Sequence, residues 1–286
     1  TGVTTNYIPD YDKGHIGGSK TLDFMSYTRY MVYGDNEGIG RRGFRIGNPL
    51  RIAMANDFFR PITGTYGVME LQPGQVNWGS INPQPYPGAV RLWLWSVFAG
   101  GSDFICTYRF RQPLYGTEQY HYGIVGTDGV TVTSGGYEYE QFMQEIRGLR
   151  PVAREREVKP ADYVKRTTAI LWNPENYWSI DRQKQNRTWD TFKHVDKYYR
   201  ALKSYGAPVD FISEEKDFSR YPVLVVPAYQ LADEALVKRW KEYVMEGGNL
   251  VLTCRTAQKD RMGRLPEAPF GSMISELTGD KIEFYD

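Results

Sequence analysis

Short apolar or β-branched runs alternate along this chain with longer stretches of helical character. The short runs predict strands over residues 2–6, over 21–27 (TLDFMSY), over YGVME ending on Glu70, and over 102–110 (SDFICTYRF). Between them, residues 49–62 (PLRIAMANDFFRPI) read as helical or mixed. Residues 88–101 read as a helix opened by Pro87-Gly88 and closed by Gly100-Gly101. Residues 138–149 (EYEQFMQEIRGL) predict a further helix, at whose start Glu138 and Glu140 suit the positive end of the helix dipole. Strands separated by helices imply βαβ units and a parallel sheet, which right-handed crossovers wrap into a barrel or a doubly wound layer.

Residues 151–162 (PVAREREVKPAD) turn charged and proline-bearing, as a linker does. Beyond them, RTTAILW, PVLVVPA and NLVLTCR predict strands, and residues 188–206 and 232–248 predict helices ending in glycine. A second α/β unit follows from that spacing. The stretch WNPENYW (172–178) comes directly after a predicted strand and reads as a surface loop.

Composition narrows the possible partners. Lys and Arg number 35 against 34 Asp and Glu, which gives no electrostatic argument for nucleic acid or an anionic membrane. An uncharged ligand fits better. Aromatic residues make up 15%, including 22 Tyr and 7 Trp; such rings suit clefts that hold sugars or other amphipathic molecules. Cys106 and Cys254 lie far apart with no C-x-x-C partner, so neither a metal site nor a disulfide framework is expected, and no cofactor is implied. Asn186-Arg187-Thr188 matches a glycosylation sequon, a triplet common by chance. With no apolar run of about 18 residues, the chain is expected to be soluble, and its compartment stays open between cytoplasm and periplasm.

Glu70 ends an apolar strand, where a parallel α/β barrel places its chemistry. A carboxylate there serves equally as nucleophile, base, metal ligand or solvated loop residue. Trp78 follows in the same loop, and the next strand leads into RFRQPLYGTEQYH, which carries Arg109, Arg111, Glu118 and His121. An indole plate, a second carboxylate and an imidazole on adjacent loops make a sugar subsite: the apolar sugar face packs on Trp78, and hydroxyls pair with Glu118 and His121. Taken singly, Trp78 has a packing explanation, and His15 and His194 structural ones.

The segments VMELQPGQVNWG, NPQPYPGAVRLW, GSDFICTYRFRQPLYGTEQYHYGIV and YVMEGGNLVLTCRT resemble the glycoside hydrolase family 42 β-galactosidases over essentially the whole chain. The resemblance implies an α/β protein: part of a (β/α)8 TIM barrel, about strands five to eight, over residues 1–151. A linker at 152–162 and a flavodoxin-like, class I glutamine-amidotransferase-like trimerisation domain over 163–286 follow. It also implies a retaining glycoside hydrolase acting on terminal β-galactosides, a homotrimer, and Glu70 as nucleophile, with Trp78, Glu118 and His121 lining the galactose subsite. Tyr30 in DFMSYTRYM matches a family tyrosine, although Thr28 and Arg29 replace residues usual between, which points to altered subsite specificity.

Retaining hydrolysis uses two carboxyl groups about 5 Å apart. In this family the acid/base glutamate follows an asparagine on the fourth barrel strand, and the DNEG turn at 35–38 is wrongly placed to supply it. The β-rich, methionine-free start therefore leads to the expectation that the chain begins inside the barrel and that its isolated site is incomplete. Cys254 lacks flanking glycines and a following histidine, which disfavours amidotransferase chemistry and favours assembly. A non-catalytic carbohydrate-binding or assembly protein is the alternative.

Overall fold

The computed structural model describes residues 2–5, 21–33, 43–149, 164–269 and 271–283. They fall into two compact units, one within 2–149 and one within 164–283.

In the first unit, β1 (Gly2–Thr5), β2 (Phe24–Arg29), β3 (Tyr66–Leu71) and β4 (Phe104–Thr107) form a parallel sheet in chain order. Helix α1 (Pro49–Thr63) joins β2 to β3, α2 (Ala89–Ala99) joins β3 to β4, and α3 (Ser134–Leu149) follows β4. The start of α1 is set locally: the Asn48 side chain accepts the Leu50 N–H at 3.0 Å, and Pro49 occupies the first turn, where its missing donor is harmless. The helix then buries Ile52, Met54, Phe58 and Phe59, and the Tyr27 hydroxyl of β2 donates to Asn56 at 2.7 Å. Burial of each such apolar side chain contributes roughly 1.5–3 kcal/mol.

Helix α2 starts at Gly88, which has a φ of 88° and no side chain to cap with. Its cap comes from α3. The Glu138 carboxylate accepts the N–H groups of Gly88 at 2.8 Å and Arg91 at 2.7 Å. Glu138 thus lies inside α3, which begins at Ser134, and serves the positive end of α2 instead of that of its own helix.

In the second unit, β5 (Thr168–Leu171), β6 (Val209–Ile212), β7 (Val223–Val226) and β8 (Asn249–Leu252) form a parallel sheet in the order β6-β5-β7-β8. The order reverses beside β5, as in doubly wound sheets. Helices α4 (Pro174–Arg182), α5 (Thr191–Ser204), α6 (Glu234–Met245) and α7 (Ser272–Thr278) complete it. Its core gathers Leu171, Leu224, Val226, Trp240 and Tyr243.

Several sequence expectations change. WNPENYW is no surface loop: Asn173 caps α4 through the N–H groups of Glu175 and Asn176, and Asn176 is buried, accepting the Leu231 N–H. The strand expected over 102–110 shrinks to Phe104–Thr107, and that over 21–27 moves to Phe24–Arg29. Asn6, the DNEG turn and the linker at 152–162 lie outside the described residues. No described helix is long and apolar enough to cross a membrane.

Candidate active site

Glu70 is the next-to-last residue of β3 and is half-buried. The Tyr30 hydroxyl, just past the end of β2, donates to Glu70 Oε2 at 3.0 Å. Burial, then the neighbouring carboxylate charge, pushes the Tyr30 phenol well above its ordinary range, so it stays protonated and remains a donor. Glu70 Oε1 makes no hydrogen bond among the described residues.

Aromatic rings build one wall beside this pair. The Trp78 indole meets the Tyr30 ring edge-on at 4.9 Å and the Tyr33 ring at 5.1 Å, yet remains 47% exposed. A ring that is held but uncovered is available to an apolar ligand face.

Glu118 stands on the loop after β4. Its Oε2 accepts the Tyr108 hydroxyl at 2.8 Å and Arg109 Nη1 at 3.1 Å, and the Arg109 guanidinium lies 4.8 Å from the Tyr108 ring centre. The hydrogen bond to Glu118 pushes the Tyr108 phenol up. His121 has 0% exposure and packs edge-on between Tyr30 at 5.9 Å and Tyr108 at 5.3 Å. Burial lowers its pKa, which keeps the ring neutral; Nδ1 meets the Tyr122 carbonyl at 3.0 Å, and Nε2 is buried without a partner among the described residues.

Glu70, Tyr30, Trp78, Glu118 and His121 are therefore brought together in one chain of contacts. Sequence reasoning passed over Tyr33, Tyr108 and Gln72, which hold that chain. Gln72 bonds the backbone of residues 31 and 32, the Tyr122 N–H donates to the Gln75 carbonyl at 2.9 Å, and Asn77 donates to the Thr117 carbonyl. The Gln-Pro-Gly bend serves the same closeness: a Cβ on Gly74 would stand 2.9 Å from Tyr122, and one on Gly135 would stand 1.6 Å from the Pro73 carbonyl oxygen. A cleft of about 440 Å³ adjoins Glu118, lined by Arg109, Arg111, Leu114, Tyr115 and Thr117 among others. No group of three His, Cys, Asp or Glu residues able to hold a metal occurs among the described residues.

A carboxylate at the end of a parallel strand, set beside indole, phenol and imidazole, is the arrangement in which α/β enzymes place a small-molecule site. The Beta-galactosidase family model matches residues 1–149, and the Beta-galactosidase trimerisation domain model matches residues 166–286. The chain belongs to the glycoside hydrolase family 42 β-galactosidases. It is 31% identical over 287 residues to the β-galactosidase BgaH of Haloferax lucentense, covering 98% of this chain and 41% of that protein. It is 30% identical to the β-galactosidase of Thermus thermophilus, covering 96% and 42%. The crystal structure of the β-galactosidase from the psychrophilic Marinomonas ef1 superposes with a TM-score of 0.85 at 27% identity, over 96% of this chain and 42% of that one. The chain thus spans about two-fifths of the length of these relatives.

Proposed function

We propose that this chain carries the nucleophile and much of the sugar pocket of a retaining, exo-acting β-galactosidase. The single observation behind this is the Tyr30–Glu70 hydrogen bond at 3.0 Å, made beside the exposed face of Trp78. With Oε2 held by the phenol, Oε1 is left to attack the anomeric carbon. The glycosidic oxygen departs with a proton from a second carboxylic acid as a galactosyl ester forms on Glu70; water, giving a proton back to that second carboxylate, then attacks the same carbon and breaks the ester bond, which frees the Glu70 carboxylate. Trp78 supplies the apolar platform, and Glu118, with one oxygen held by Tyr108 and Arg109, accepts sugar hydroxyls through the other. His121 acts on the pocket through the two tyrosine rings it separates.

A proton donor about 5 Å from the nucleophile is required for glycosides with poor leaving groups. No described residue is assigned that role. We read the consecutive sheet as the wall of a (β/α)8 barrel, about strands five to eight, whose strand ends carry the chemistry. The second unit is read as the amidotransferase-like domain that assembles three copies.

Replacing Glu70 by Ala and adding azide tests the assignment on a dinitrophenyl β-galactoside, whose leaving group needs no proton. Azide should restore turnover and give the α-galactosyl azide, because the small anion attacks where the carboxylate stood. Unchanged turnover in Glu70→Ala without azide would remove Glu70 from the reaction.

A further inference from the structure

Tyr30 and Tyr33 sit on the segment after β2, while Glu70 sits on β3, and the chain between them is long. Gln72, two residues past Glu70, fixes one against the other. It has 0% exposure. Its Oε1 accepts the backbone N–H groups of Met31 and Val32, each at 2.8 Å, and its Nε2 donates to the Val32 carbonyl at 2.9 Å. Its own backbone N–H donates to the Arg29 carbonyl at 3.2 Å. Two N–H groups must meet the oxygen and one carbonyl the nitrogen, so the partners dictate the amide's orientation.

These bonds bracket Tyr30 on both sides. An apolar side chain of equal size would fill the same space but strand two buried N–H groups and a carbonyl. Packing alone therefore does not account for a glutamine here. What the amide locks is the backbone from which the phenol reaches Glu70 Oε2 and the Tyr30 ring meets Trp78.

Resting on the reading of Glu70 as nucleophile, we propose that Gln72 is a positioning residue that acts on the reaction through Tyr30. A misplaced phenol leaves the attacking carboxylate free to turn, which affects the chemical step more than ground-state binding.

The test is a double-mutant cycle in the intact protein, read as kcat and KM on an aryl β-galactoside. Gln72→Met should lower kcat by roughly 10²-fold, the scale of an ångström-sized misplacement, with a much smaller change in KM. Gln72→Glu, which keeps an acceptor for both N–H groups, should lose less. In a Tyr30→Phe background the Gln72→Met effect should shrink to about threefold or less, because coupled residues are not additive. A full loss in that background, or a rise in KM alone, would overturn the proposal. If thermal unfolding shows that Gln72→Met does not fold, Gln72→Glu with Tyr30→Phe completes the same cycle. Glu70→Gln is run alongside: retained turnover removes the nucleophile and this proposal with it. Lost turnover with an additive cycle removes the role of Gln72 alone.

Discussion

The two units of this chain use the same strand-helix alphabet and treat the carboxyl ends of their strands in opposite ways. In the first unit, Glu70 and Glu118 each have one oxygen held and the other open, beside a half-exposed indole. In the second, Glu214 and Asp233, which follow β6 and β7, are consumed. Arg261 donates to both oxygens of Glu214 at 2.7 Å and to Asp233 at 2.9 Å, and Tyr229 donates to Glu214 as well. Asp210, at the amino end of β6, accepts the Tyr221 hydroxyl at 3.3 Å in turn. His194 there meets Thr253 at 3.1 Å and not the exposed Cys254 beside it. Open acceptors next to uncovered rings mark a surface that awaits a ligand; closed ion-pair networks mark one that holds a fold together.

Substitutions in the two units should therefore differ in kind. The largest effect belongs to Glu70→Gln, which should lower kcat/KM by a factor on the order of 10⁴ or more, as loss of a covalent nucleophile does. Galactose binding, followed by tryptophan fluorescence, should survive it. A protein that only binds carbohydrate would show no turnover to lose, so this pair of measurements also separates the alternative. Trp78→Ala should come next, raising KM by about tenfold through loss of the stacking face while leaving the unfolding temperature nearly unchanged.

In the second unit the corresponding change is thermodynamic. Arg261→Met should destabilise it by about 1–2 kcal/mol, a figure kept small because Arg261 and its two carboxylate partners are partly solvated, and should leave turnover per folded site unaltered. The hydrogen bond from Arg261 holds Asp233 below its ordinary value of 3.8. A depressed carboxylate favours the fold above that value and loses its contribution as pH falls through the lower folded one. The acid limb of unfolding should therefore flatten in Arg261→Met.

The smallest effect is shared by both units. Burial lowers the pKa of His121 in the first and of His194 in the second from 6.5. Each ring favours the folded state at pH above 6.5, and that contribution is lost as pH falls through the lower folded value, since the unfolded chain binds the proton first. Chemical denaturation at stepped pH should show a modest decline there, reduced in His121→Asn for the first unit only.

Much of the scaffold was legible in the sequence because short strands such as Thr168–Leu171 and Val223–Val226 are runs of β-branched and apolar residues. Strand β6 escaped because Asp210 interrupts its apolar run, a buried charge that accepts the Tyr221 hydroxyl in the fold. Helix α4 escaped because Asn173-Pro174 reads as a turn when isolated, whereas Asn before Pro is also a cap followed by a first helical turn. Glu70, Trp78, Glu118 and His121 were legible from their places at a strand end and on the loops beyond it, their roles and Tyr30 from the family resemblance. Gln72, Tyr33 and Tyr108 had no such signal, and for Gln72 the partners lie some 40 positions away, beyond any local periodicity. The burial of His121 between two rings was not legible either, since spacing along a loop does not reveal which side chain turns inward.

The most direct measurement treats the protein with a galactosyl fluoride that carries a second fluorine on the carbon next to the anomeric centre. Fluoride departs without a proton donor and the second fluorine slows release, so the covalent ester accumulates and peptide mass spectrometry locates it. The label should sit on Glu70 and be absent from Glu70→Gln. A label on any other carboxylate, or one that persists in Glu70→Gln, would contradict Glu70 as the nucleophile.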